Sequence, residues 1–212
     1  MKYNQFRRLA VKHDERKWWI KHLLRPVSTR LTFLIKDSKI LPNQITLLMI
    51  AWVFLSGFFF INRYFVLGSV TLLLTILMDA MDGELARYTS NVTKDGKVLD
   101  TIYHYITYPV IMLCLTISFK DGLMFLLGAV NVLAWYMTES VYHKVQGIKT
   151  QKNSLKYYLG QLNQDHNFII LITLSIFLGI TQVAIILYSG YTLAKLIGIK
   201  VLEATKWKIL IK

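Results

Sequence analysis

The chain has little of what marks a disulfide-stapled or nucleic-acid-binding protein. A single cysteine, Cys114, among 212 residues excludes an internal disulfide. Lying inside an apolar run, it reads as a small packing residue. Acidic residues are also scarce, twelve against twenty-five Lys and Arg, which leaves a formal charge of +13. Such an excess can mean nucleic acid, but zinc-finger spacing is absent and the basic residues flank apolar runs instead of forming a domain of their own. Anionic lipid head groups and phosphorylated substrates are the expected partners, and nucleic acid is not. The first forty residues lack an apolar core followed by a small-residue cleavage site, so no signal peptide is expected there.

What is present is apolar. Hydrophobic residues make up 54% of the chain and the mean hydropathy is positive, too apolar for an ordinary soluble domain. The expected class is an all-α polytopic membrane protein. Residues 1–41 interleave Lys2, Arg7, Arg8, Lys12, Arg16, Lys17 and Lys21 with Trp18, Trp19, Ile20, Leu23 and Leu24. This pattern predicts an amphipathic helix lying in the membrane interface, broken at Pro26, with a second short segment over 28–35. Residues 42–199 hold six predicted spans, at 43–60, 66–87, 96–118, 123–142, 157–180 and 183–199, with one tilted span over about 168–188 plus an interfacial tail as the competing reading of the last two. Turns are expected at Asn62-Arg63, Lys120-Asp121-Gly122 and Thr181-Gln182, and 200–212 reads as a basic tail. Lys and Arg concentrate in the arm, the tail and the loops after the second and fourth spans. That asymmetry predicts both ends, and the acidic ends of spans two and three, on the cytosolic side.

Four ionisable side chains interrupt this apolar sequence: Asp79, Asp82, Asp100 and His104. A carboxylate facing lipid is costly, so acidic residues persist there mainly where they line a cavity, hold a cation or do chemistry. Residues three and four apart share a helix face, which aligns Asp79 with Asp82 and Asp100 with His104 across a short-loop hairpin. Three carboxylates and one imidazole suit Mg²⁺ or Mn²⁺ better than a softer ion. Gly83 and Gly96 allow another backbone or a phosphate to approach closely, and Arg87 adds a planar cation suited to phosphate oxygens. Together these residues describe a metal-assisted phosphoryl-transfer site. Glu84 is expected to face water or to pair with a lysine.

Asp79, Asp82-Gly83, Ala86-Arg87, Gly96 and Asp100 resemble the signature of the CDP-alcohol phosphotransferases, DxxDGxxARx8GxxxDxxxD, at every position but the last, where His104 replaces an aspartate. The resemblance implies a CDP-linked donor held by Asn43, Asp82, Gly83, Ala86, Arg87, Thr93 and Gly96. It also implies divalent metal on Asp79, Asp82 and Asp100, and attack by an acceptor hydroxyl with release of CMP. Asn43 has a simpler role open to it as a cap of the first span. The family's last aspartate is usually assigned to activating the acceptor. Histidine can accept that proton, with Asp100 beside it, because its unperturbed pKa is near neutrality; it can also ligate the metal, or mark a site that has lost activity. The donor is expected to be CDP-diacylglycerol, with a CDP-polyol as the rival, and the resemblance is compatible with a homodimer. A non-catalytic cation-binding relative is a further reading. A cation transporter would explain the carboxylates but not the fixed spacing of Gly83, Ala86, Arg87 and Gly96.

Overall fold

The computed structural model describes residues 2–11, 20–146 and 165–210, with side chains for all of these except 141–146, 165–167, 199 and 201–210. Among the described residues every regular element is helical: α1 (Tyr3–Ala10), a π-helical turn (Ile20–Leu24), α2 (Arg25–Ile35), α3 (Pro42–Ile61), α4 (Phe65–Tyr88), α5 (Lys94–Ser118), α6 (Gly122–Gln146), α7 (Asp165–Phe177) and α8 (Thr181–Leu210). Trp18 and Trp19 of the arm, and residues 147–164 with their lysines and Tyr157-Tyr158, lie outside the described residues. Among the described residues four helices, α3 to α6, are long and apolar enough to cross a membrane, and α7 adds the shorter apolar stretch Phe168–Phe177. Large apolar side chains such as Leu47, Phe54, Phe58, Val66, Leu67, Val70 and Leu73 stay exposed along α3 and α4. In water such a belt would be untenable, so the chain is an integral membrane protein whose lipid-facing surface is this belt.

The chain divides into two compact units. The first comprises the described residues up to Phe59 together with Leu67–Val110. In it α3 starts with Pro42 at its first position, where the missing N–H is harmless, and the Gln44 side chain caps the Leu41 N–H at 3.0 Å. Ser56 donates to the Gly68 carbonyl at 2.7 Å, tying α3 to α4. Tyr103 of α5 is fully buried and donates to Thr75 of α4 at 3.1 Å. Pro26 does not break the arm as the sequence predicts. The π-helical turn runs directly into α2, and Pro26 sits in the first turn of that helix, where proline is tolerated. Along α2, Arg25, Ser28, Thr29 and Thr32 are all buried.

That polar stripe has a partner. Glu84 of α4 is fully buried, and its Oε1 accepts from Arg25 Nη1 at 2.9 Å and Ser28 Oγ at 2.8 Å, while Oε2 accepts from Thr32 Oγ1 at 2.9 Å. The expectation that Glu84 faces water or pairs with lysine is therefore wrong. A buried carboxylate is tolerable only when paired and hydrogen-bonded, and α2 supplies both. Helix α1 packs nearby through Phe6, which is fully buried with its ring edge-on to Phe33 and Tyr88 at centroid distances of 5.5 and 4.9 Å.

The second unit holds Phe60–Val66 and the described residues from Ile111 onward. Asn131 of α6 donates to Ser189 of α8 at 2.7 Å, both buried. The turn between α7 and α8 lies at Gly179, not at Thr181-Gln182. Gly179 has φ +70°, the Ile180 N–H returns to the Ser175 carbonyl at 2.9 Å, and Thr181 and Gln182 open α8. A glycine in the left-handed region ends a helix at little steric cost, and this signal outweighs a polar dipeptide. Gly128 of α6 lies against α5, since a Cβ there would come within 2.5 Å of Thr116 Oγ1 and 2.8 Å of its Cγ2. Gly128→Ala is expected to lower the melting temperature in detergent by an amount equivalent to about 1–3 kcal/mol. Gly190→Ala, where a Cβ meets nothing within 4 Å, is expected to leave it unchanged or raise it by up to about 1 kcal/mol. Equal melting temperatures for the two variants would contradict this packing.

Candidate active site

The start of α3, the last three turns of α4, the α4–α5 connection, the start of α5 and Arg25 of α2 line a partly open cavity of about 410 Å³. Its lining includes Asn43, Thr46, Asp79, Asp82, Gly83, Ala86, Arg87, Thr93, Gly96 and Asp100. Every sequence-predicted site residue except His104 is in that set. His104 stands beside it, with Nε2 3.4 Å from Asp100 Oδ1 and 3.9 Å from Asp79 Oδ1. The buried Tyr103 packs edge-on to the imidazole at 5.0 Å.

The α4 positions that reach the cavity, 79, 82, 83, 86 and 87, recur at helical spacing and form one stripe. Asp82 is nearly buried at 9% exposure, and its Oδ2 accepts from Thr46 Oγ1 at 2.6 Å. Thr46 is a site residue that the sequence reading missed. It lies one turn after Asn43 on α3, so the same helix face that offers Asn43 also offers Thr46.

Both glycines make room for side chains of the site itself. A Cβ at Gly83 would meet Arg87 Nη1 at 3.2 Å, so the Arg87 guanidinium lies back over the Gly83 turn. At Gly96 a Cβ would come within 2.6 Å of Asn43 Oδ1. Thr93 caps α5 by accepting from the Gly96 N–H at 3.0 Å, and the Asn43 amide lies 3.3 Å from the same hydroxyl. Asn43 itself is inside the first turn of α3 and not before it, so it lines the cavity instead of capping the helix. Arg87 is also held from outside the cavity, because its Nε donates to the Ala10 carbonyl at the end of α1, at 2.6 Å.

Asp79, Asp100 and His104 each offer one ligand atom, and these atoms lie within 4.8 Å of one another. Two carboxylate oxygens and one imidazole nitrogen that close together fit a hard divalent cation. Asp82 lies outside this group of three, although it shares the cavity. The arrangement as a whole presents three carboxylates, with Arg25, Arg87 and Lys97 as cations, around a space large enough for a nucleotide-sized ligand. Carboxylates that gather metal and guanidiniums that face the same void are what phosphoryl transfer requires.

Comparison with known proteins agrees. An 85-residue segment, 39% of this chain, is 39% identical to the bifunctional IPC transferase and DIPP synthase of Aquifex aeolicus (strain VF5) and spans 19% of that protein. In fold, the chain is similar to the Mycobacterium tuberculosis phosphatidylinositol phosphate synthase (PgsA1), whose crystal structure has CDP-DAG bound. The TM-score is 0.66 at 14% identity, over 82% of this chain and 91% of that one. The family model of the CDP-alcohol phosphatidyltransferases matches residues 39–194, which include every predicted site residue. This chain belongs to the CDP-alcohol phosphatidyltransferase family.

Proposed function

We propose that this chain moves a substituted phosphate group from a CDP-linked donor, CDP-diacylglycerol, to the hydroxyl of an acceptor alcohol and releases CMP, with Mg²⁺ or Mn²⁺ bound. The observation that carries this reading is the placement of Asp79, Asp82, Asp100 and Arg87 on one cavity beside His104. Family membership supports the reaction class, and the diacylglycerol-linked donor is supported by the CDP-DAG in the M. tuberculosis synthase.

Asn43, Gly83, Ala86, Arg87, Thr93 and Gly96 bind the donor, with the Arg87 guanidinium on its diphosphate. Asp79, Asp82 and Asp100 would hold the metal, which would offset charge on the leaving phosphate. The acceptor hydroxyl attacks the β-phosphorus of the donor. A new P–O bond to the acceptor forms as the bond to the CMP oxygen breaks, and CMP departs with that oxygen. His104 takes the acceptor proton at Nε2, which lies 3.4 Å from Asp100 Oδ1. Histidine in place of the family's last aspartate removes one negative charge from the cluster while keeping a proton acceptor.

The same reading extends to topology. Residues 1–41 form an arm in the membrane interface, 42–199 cross the bilayer six times, and 200–212 form a basic tail. Both ends and the site face the cytosol, as the distribution of Lys and Arg supports, and the chain pairs as a homodimer.

Purified protein with Mn²⁺, CDP-diacylglycerol and a panel of alcohols is expected to release CMP. Asp82→Asn should abolish that release, and release that survived the substitution would sink the assignment. His104→Ala is expected to lower kcat by about 10²–10⁴-fold, while His104→Asp retains activity; an active alanine variant would remove His104 from the mechanism. Gly96→Ala should leave the melting temperature near wild type yet raise the donor KM by about tenfold, because the new methyl displaces the Asn43 side chain. Thr46→Val should lower kcat by a similar factor, since Asp82 loses the bond that fixes its Oδ2. Unchanged kinetics in either variant would contradict the role given to its partner.

A further inference from the structure

Arg25 lies outside the family signature, in the segment that sequence patterning assigns to an interfacial arm. It nevertheless lines the cavity, alongside Asp82, Gly83 and Arg87. The residue is buried at 9% exposure in the first turn of α2. Its Nη1 donates to Glu84 Oε1 at 2.9 Å and reaches the Ala80 carbonyl at 3.5 Å, so the guanidinium sits level with the α4 turn that runs from Ala80 to Glu84. Arg87 lies back over Gly83 in that same turn. The stretch of α4 between Asp79 and Gly83 is thus flanked by two guanidiniums, one from its own helix and one from α2.

A role as glue does not account for this. Ser28 and Thr32 already donate to Glu84, one to each carboxylate oxygen. Two helices can be joined as well by neutral or apolar side chains of similar volume, because desolvating an ion pair offsets most of its attraction. A full positive charge on the wall of a cavity gains a further interaction when the ligand is anionic. The planar fork of arginine, unlike the ammonium of lysine, matches two phosphate oxygens at once.

We propose that Arg25 is a second donor-binding residue, holding a diphosphate oxygen together with Arg87, and that Glu84 is a positioning residue that aims the Arg25 guanidinium into the cavity. The proposal rests on the CDP-linked donor assigned above.

The test is equilibrium binding of CDP and of CMP to the full chain in detergent with Mn²⁺. Wild type should bind CDP more tightly than CMP. The double variant Arg25→Met/Glu84→Gln removes both buried charges yet leaves an acceptor for Ser28 and Thr32. It is expected to keep the CMP affinity and to lose about tenfold in its preference for CDP. Arg25→Lys, which keeps the charge and the pairing with Glu84, should lose about threefold. It reads the same ratio should the double variant fold poorly. Glu84→Gln alone should lower the CDP preference with CMP binding unchanged, which a purely structural role would not produce. If wild type prefers CDP and the Arg25 variants keep that preference in full, Arg25 is structural and this inference falls alone. If wild type itself does not distinguish CDP from CMP, the donor assignment falls and this inference falls with it.

Discussion

The first unit depends on a carboxylate with nowhere to go. Glu84 is fully buried in a helix that crosses the membrane, and an unpartnered charge there would cost more than most single contacts can return. Among the described residues its hydrogen-bond partners come from α2, a segment that charge patterning alone assigns to the membrane surface. The requirement to satisfy Glu84 therefore fixes where α2 lies along α4, and with it the position of Arg25. Because the bond to Arg25 reaches the same turn of α4 that carries Asp82 and Gly83, the seating of the arm and the shaping of the cavity are one constraint.

Around that clamp, the site is made of helix ends. Thr93 caps α5 and meets Asn43, and the start of α3 offers Asn43 and Thr46, one turn apart on one face. Side chains carried on helices are aimed more precisely than side chains on loops, by backbone geometry that packing elsewhere has already set. The two glycines contribute by absence. Gly83 lets Arg87 fold back along its own helix, and Gly96 lets the Asn43 carboxamide approach α5.

Much of this was legible in the sequence because it repeats at helical spacing. Asp79, Asp82, Gly83, Ala86 and Arg87 declare one face of a helix, and the structure brings those side chains to one cavity with Asp100 and Gly96. Helices α3 to α6 were readable within one or two residues at most of their ends, since proline, glycine and polar dipeptides punctuate long apolar runs. What escaped was the partner of each charge. Arg25, Ser28, Thr29 and Thr32 also fall on one helical face, but a basic neighbourhood masked that stripe, and no local pattern says which distant carboxylate it meets. Thr46 escaped for a similar reason. A threonine one turn after Asn43 gains meaning only when Asp82, thirty-six residues later, is brought to its hydroxyl. Gly179 lies two residues before the polar pair, and its φ of +70° is what marks the turn there.

Helix α4 uses adjacent positions for opposite purposes. Ala80 and Glu84 face α2, while Asp79, Asp82, Gly83, Ala86 and Arg87 face the cavity, all within three turns. A helix advances about 100° per residue. One inserted or deleted residue between Asp79 and Arg87 would thus rotate every later position by about 100° against every earlier one and break up the cavity-facing set, whatever its chemistry. Substitutions along this segment can be weighed one at a time, but its length cannot change by even one residue, and that fixed phase is a constraint separate from the identity of any side chain it carries.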